Sequence, residues 1–252
     1  MAPQLHHVVD GPENAPVVLF GPSLGTDLHL FDAQVAALSD RYRCVRVDLP
    51  GHGGSPDATG DLTIADLAEG ALAAAGVDSF HYVGVSIGGA IGQWLGVHAQ
   101  PRVRSLAVLA TAARFPGPDT WPQRAATVRE KGTEAMVASR KGTWYVEDWA
   151  RRDPAGETRL LDMLRATKAE GYAACCAAIG AFDVRADLGT ITAPTLVVAG
   201  ADDPATPPSS LREIADGIPG ARYAEVADAA HLLNYERPDE VNTLLREWLS
   251  RS

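Results

Sequence analysis

The chain has 252 residues, enough for one large core, and its 46% hydrophobic and 21% charged residues describe an ordinary globule rather than a disordered chain. A formal net charge of −10 argues against a nucleic-acid surface, which needs clustered Lys and Arg. It leaves room for a small anionic substrate held by one or two local cations. Cys44, Cys175 and Cys176 show neither CxxC nor metal-ligand spacing, and they read as reduced thiols of a cytoplasmic protein. The N-terminus lacks a basic-then-apolar signal, and nothing approaches the length of a membrane span.

In chain order, residues 5–9 read as a short edge strand with a turn at Asp10-Gly11-Pro12. Val17 to Phe20 is a short apolar run suited to a strand buried on both faces. Gly21-Pro22-Ser23-Leu24-Gly25 follows, then an amphipathic helix from about Phe31 to Leu38. Arg43 to Leu49 is the next strand, punctuated by Pro50-Gly51-His52-Gly53-Gly54-Ser55, read as a structural turn with Ser55 as a cap. Ile64 to Ala75 is a helix rich in Ala and Leu. His81 to Val85 is a strand running into Ser86, a helix continues to about His98, and Arg104 to Leu109 is another strand.

From about residue 115 to 187 the strand-like runs vanish, and helix formers dominate 121–141 and 155–181. Such an insertion between strands reads as a cap over the strand ends, where ligands bind in parallel sheets. The earlier rhythm then returns: strand Thr195–Ala199, loop Gly200–Pro204, helix Ser209–Asp216, strand Arg222–Val226, loop Asp228–Leu232 and helix Asp239–Leu249. The alternation predicts an α/β fold with a mostly parallel central sheet and helices on both faces. Residues 1–114 and 188–252 form its core, and 115–187 form the cap of the same domain.

Strand, sharp turn and helix around Gly84-Val85-Ser86-Ile87-Gly88 is the form of a nucleophile elbow. A serine projected from so tight a turn takes a strained backbone, and the flanking chain passes too close for side chains. The following helix points its free N–H groups at an oxyanion formed in acyl transfer. The Gly21–Gly25 stretch repeats the pattern around Ser23, so position must decide between them. With Ser23 as nucleophile, the Ser86 turn would be a second strained turn without a purpose. With Ser86 as nucleophile, the amide of Ile87 is the first oxyanion donor. Leu24, in the loop after an earlier strand, then supplies the second.

A serine needs a base, and the base needs a carboxylate to fix its tautomer. Beyond Ser86 only His98 and His231 occur. His98 ends the helix leaving Ser86, roughly 18 Å along its axis at ~1.5 Å per residue, and cannot turn back. His231, in a loop after the last strand, is therefore the expected base. For the acid, Asp203 is favoured over its neighbour Asp202 because Pro204 restricts the residue before it. Asp228, three residues from His231, is the weaker candidate because such a carboxylate usually serves its own turn.

Ser86, the Asp203 loop and the His231 loop together make the chain resemble the α/β-hydrolase superfamily over essentially its whole length. It is most similar to the 3-oxoadipate enol-lactonases of aromatic-acid catabolism. The matching stretches are SLGTDLHLFDAQV (23–35), VDLPGHGGSP (47–56), GVSIGGAIGQWL (84–95), EGYAACCAAIGAFDVRADLGTITAPTLVVAG (170–200) and AAHLLNYERP (229–238). The run from Glu170 to Asp187 is the most specific to that family. The resemblance implies an α/β-hydrolase fold and opening of the lactone ring of 3-oxoadipate enol-lactone through an acyl-enzyme on Ser86. It implies a small anionic lactone as partner, and neither cofactor nor metal.

The chain departs from the family at two places. Pro22 stands where a polar residue usually precedes Ser-Leu-Gly, and Thr143-Trp144-Tyr145 replaces Arg-Trp-Phe in the cap. If that arginine binds the substrate carboxylate, Arg140 or Lys141 could reach the same place from the preceding helical turn. Trp144 is expected to wall the pocket and Ser23 to line it. The missing arginine also favours a carboxylesterase or carbon–carbon bond hydrolase using the same residues. A receptor on a hydrolase scaffold and a perhydrolase are the further alternatives.

Overall fold

The computed structural model describes residues 2–251. In chain order the first half holds β1 (His7–Asp10), β2 (Val17–Gly21), α1 (Asp32–Leu38), β3 (Arg43–Val47), α2 (Ile64–Ala75), β4 (Phe80–Val85), α3 (Ile87–His98) and β5 (Val103–Leu109). Four helices follow before the next strand: α4 (Thr120–Lys131), α5 (Glu147–Arg152), α6 (Pro154–Ala166) and α7 (Ala169–Ala181). The chain then forms β6 (Thr195–Gly200), α8 (Pro208–Gly217), β7 (Arg222–Val226), α9 (Leu233–Glu236) and α10 (Pro238–Leu249).

The strands make one sheet in the order β1-β3-β2-β4-β5-β6-β7. Only β1 runs antiparallel, against β3. Helices cover both faces, so β2, β4 and β6 are buried along their whole length, which is why they read as continuous apolar runs. The edge strands β1 and β7 are half exposed. Helix α2 is delimited by side-chain chemistry: Thr63 and Asp66 form a capping box, and Gly76 closes the helix in the left-handed region at φ 60°. Among the described residues no helix is long and apolar enough to cross a membrane.

Two long helical expectations are each divided. The 121–141 run breaks at Gly132, whose φ of 72° ends α4 and starts a 3-10 segment, Thr133–Ser139. The 155–181 run breaks between α6 and α7, where Thr167 and Lys168 are extended and the Lys168 amide donates to Gly51 O at 2.8 Å. That bond belongs to tertiary packing and leaves no trace in helix periodicity. The short helices α5 and α9 carry too few turns to show a period.

The strand ends on one edge of the sheet carry the residues of interest. Gly21, Val85, Leu109, Gly200 and Val226 end β2, β4, β5, β6 and β7, and Leu24, Ser86, Thr111, Asp203 and His231 lie in the segments just after them. Ligands bind at this edge in open parallel sheets. The crossing of β2 and α3 there is tight. A Cβ on Gly88 would lie 1.9 Å from Gly21 O, and one on Gly84 would lie 2.3 Å from Gly88 O.

Two histidines are buried as neutral groups. His52 Nδ1 meets Pro50 O at 2.8 Å, and Nε2 accepts the Gly25 N–H at 3.0 Å. An acceptor at Nε2 requires the tautomer protonated on Nδ1. Burial pushes His52 down to about 4, against the partial support of Pro50 O. His81, bonded to Ser105 Oγ, is likewise pushed down to about 4 by burial. The three cysteines are free and buried, and burial pushes the thiols of Cys44 and Cys176 up to about 12.

Two outcomes follow from this packing. Gly88→Ala forces backbone against backbone and should lower unfolding free energy by about 3 kcal/mol or more, seen as a reduced urea midpoint; an unchanged midpoint would contradict the packing. The lowered histidines make the unfolded chain the better proton acceptor below pH 6.5. Stability should therefore be fully present above that pH and decline as pH falls towards 4. His52 accounts for about 3 kcal/mol of the loss, so His52→Gln should flatten the curve over this window.

Candidate active site

Ser86 stands between β4 and α3 at φ 59°, ψ −118°. It is one of three non-glycine residues with positive φ among the described residues. Such a conformation costs on the order of 1–3 kcal/mol and persists only where the surroundings hold it. Here they do so from both sides. Ser86 N donates to Leu109 O at 2.9 Å, and Ser86 O accepts the Ala90 N–H at 3.0 Å and the Thr111 hydroxyl at 2.7 Å. Ser23, in the second copy of the pattern, has no positive φ, and Gly25 takes the left-handed position there at φ 82°.

His231 lies in the loop between β7 and α9, with Nδ1 2.8 Å from Asp203 Oδ2. Asp203 also accepts the Thr206 hydroxyl at 2.7 Å and the amides of Ala205 and Thr206 at 2.8 and 3.1 Å. Burial alone would raise the Asp203 carboxyl. The charge and hydrogen bond of His231, together with the bonds from Thr206, outweigh burial and hold it below its usual value. A carboxylate on Nδ1 keeps the proton there and leaves the Nε2 lone pair free for a substrate-side proton.

The loop carrying His231 is fixed to the helical segment that precedes β6. The His231 and Leu232 amides donate to Thr143 O and Trp144 O at 3.3 and 2.8 Å. The buried Glu236 accepts the Ala230 and Val146 amides at 2.7 and 2.9 Å. Nothing in the spacing of Glu236 separates it in the sequence from a surface acid of α9.

Ser86 and His231 line one cavity of about 130 Å³, shared with Ser23, Leu24, Trp144 and Arg140. Among the described residues the side chains of Ser86 and His231 form no direct hydrogen bond with each other. Asp202 is exposed. Asp228 is 82% exposed in its side chain and pairs with Arg237. His98 stacks on Trp94 at the far end of α3. A larger open groove of about 700 Å³, lined by Asp27, Asp32, Asp153 and Arg159, contains none of these groups.

The cavity wall is positive. Arg140 is 5% exposed, lies over the Trp144 ring at 5.3 Å, and spends donors on Met136 O and Ser139 Oγ. Arg124, over the Trp121 ring at 4.7 Å, lines the same wall. Neither forms an ion pair with an acid among the described residues. Burial lowers the Arg140 pKa, and the neighbouring Arg124 charge adds to this. The Tyr172 hydroxyl is buried in the same wall, beside Arg124. Arg124 and Tyr172 were not singled out from the sequence, because helical periodicity does not say which face meets a cavity. Lys141 is exposed and absent from the wall. Among the described residues no cluster of His, Cys, Asp and Glu is placed to hold a metal ion.

The chain is similar to known proteins over most of its length. Residues 16–238 match the profile of the α/β hydrolase fold family. The 3-oxoadipate enol-lactonase 1 of Acinetobacter baylyi is 36% identical over 235 residues, which cover 92% of this chain and 88% of that protein. The crystal structure of the enol-lactonase from Burkholderia xenovorans LB400 is 36% identical, with a TM-score of 0.94 over 98% of this chain and 96% of its own. A thermophilic esterase from Thermogutta terrifontis, solved with malate bound, is 26% identical, with a TM-score of 0.91 over 98% of this chain and 93% of its own. On the match to its profile and on these relatives, the chain belongs to the α/β-hydrolase fold family.

Proposed function

We propose that this hydrolase opens the ring of an enol-lactone bearing a carboxylate, with 3-oxoadipate enol-lactone as substrate, through an acyl-enzyme on Ser86. One observation carries the reading: the cavity that joins Ser86 to the His231–Asp203 pair also holds two arginines without acid partners. Arg140 is the buried one of the two, and an unpaired buried cation is costly and calls for an anion. The relatives named as enol-lactonases support the same chemistry.

In this mechanism Arg140 and Arg124 receive the carboxylate arm, and Trp144 and Tyr172 exclude water around the ring. His231 Nε2 takes the Ser86 proton as Oγ attacks the lactone carbonyl. Asp203 stabilises the imidazolium that results. The Leu24 and Ile87 amides receive the negative oxygen. The carbon–oxygen ring bond breaks with an enol as leaving group, which takes up the proton and tautomerises to the ketone. Water, activated by His231, then releases the open-chain keto acid. Thr143 in place of the family's arginine moves the cation rather than removing it, since Arg140 lies one helical turn earlier. A carboxylesterase for neutral esters would have no use for the two arginines.

The test follows loss of the enol-lactone's ultraviolet absorbance. Wild type should turn the lactone over, and Ser86→Ala should lower kcat by about 10³-fold or more. A wild type inert on the lactone but active on simple esters would keep the nucleophile and sink the substrate. Arg140→Met and Arg124→Met should each lower kcat/KM on the lactone by about 10- to 100-fold, as expected for a lost bond to a charged group. The same variants should leave hydrolysis of p-nitrophenyl acetate within about 3-fold. An equal loss on both substrates would remove the carboxylate from the account.

A further inference from the structure

The two amides assigned to the oxyanion belong to the Ser23–Leu24 and Ser86–Ile87 peptides. Both are trans, and in a trans peptide the C=O and N–H point in opposite directions. Whatever holds the carbonyl therefore aims the amide. Ser23 O accepts the Thr26 N–H at 3.1 Å and the Thr26 hydroxyl at 2.8 Å. Ser86 O accepts the Ala90 N–H at 3.0 Å and the Thr111 hydroxyl at 2.7 Å. In each case a backbone amide already satisfies the carbonyl, and a threonine hydroxyl adds a second bond. Both threonines are 0% exposed.

The surroundings of Thr111 are built for this contact. Ala110, the residue before it, takes φ 44° and donates its N–H to Val198 O at 3.0 Å. That kink lays Thr111 against the first turn of α3. A Cβ on Gly89 would lie 2.6 Å from the Thr111 Cβ, so the glycine at 89 makes room for the threonine. On the other side, Thr26 follows Gly25, whose N–H is held by the buried His52 ring. Consecutive peptides of the Leu24 loop are thus anchored on the side away from the cavity.

We propose that Thr26 and Thr111 are positioning residues of the oxyanion hole, whose hydroxyls hold the rear of two peptides so that the Leu24 and Ile87 N–H groups converge on the reacting carbonyl oxygen. A second donor on each carbonyl also polarises its peptide and strengthens the N–H as a donor. The inference rests on the reading of Ser86 as the nucleophile that forms an acyl-enzyme. Because the donors act on the tetrahedral state rather than on bound substrate, losing a hydroxyl lowers kcat and spares KM.

Valine and serine variants separate aim from packing, with p-nitrophenyl acetate as probe. Thr111→Val and Thr26→Val keep the shape and remove the hydroxyl. Each should lower kcat about 10- to 100-fold, below the ~10²–10³ of a deleted donor, with KM within about twofold. Thr111→Ser and Thr26→Ser lose the packing methyl and keep the hydroxyl, and should retain kcat within about threefold even where the melting temperature drops. The reverse pattern, active valine and inactive serine variants, would make the threonines packing residues only and overturn the inference. Should a valine variant melt below the assay temperature, its serine partner decides alone: near-wild-type kcat supports the aiming role, and a large loss overturns it. Ser86→Ala run in parallel tests the nucleophile itself, since turnover surviving in that variant would strike the mechanism whatever the threonines do.

Discussion

The strained peptide at Ser86 is the constraint on which the other parts of the site depend. A serine at positive φ is unfavourable by itself, and it stands here because strand and helix close around it without side chains in the way. Gly84, Gly88 and Gly21 meet backbone to backbone, and this contact sets the crossing of β2, β4 and α3. The same crossing brings the Leu24 loop next to the start of α3. Ser86, the proposed nucleophile, and both candidate oxyanion amides are thus fixed by one packing event, with the strain offset by the burial of β4 and α3.

The remaining chemistry arrives on loops, which are held by polar rather than apolar contacts. Asp203 is pinned by three donors of its own turn before it meets His231. The loop of His231 is tied to Thr143 and Trp144 by backbone bonds and to Val146 through Glu236. The segment that carries Arg140 and Trp144 is therefore tied to the loop of His231; under the proposed mechanism, binding energy gained on a carboxylate arm is available to orient that histidine. Charge follows the same logic. A chain of net charge −10 reserves two unpaired arginines for the one cavity that holds Ser86.

Much of this was legible in the sequence, and the reasons are physical. The buried strands declare themselves as apolar runs, and α2 declares itself by its caps, because local sequence alone decides these features. Ser86, Asp203 and His231 could be named from chain order and neighbours, and the structure gathers all three into one place. Antiparallel β1, the break between α6 and α7 and the roles of Glu236 and Thr111 were not legible. Each depends on a partner distant in sequence that no period or motif encodes. Arg124 was hidden for the same reason: α4 reads as a polar surface helix until its neighbours reveal the cavity. Lys141 shows the converse, since adjacency to Arg140 in sequence sent it to solvent rather than to the wall.

The measurement that bears most directly on the account is covalent labelling with a fluorophosphonate, followed by intact-mass and peptide mass spectrometry of wild type, Ser86→Ala and Ser23→Ala. One adduct per chain is expected on the peptide containing Ser86, lost in Ser86→Ala and retained in Ser23→Ala. An adduct on Ser23, or an active wild type that takes no label, would contradict it.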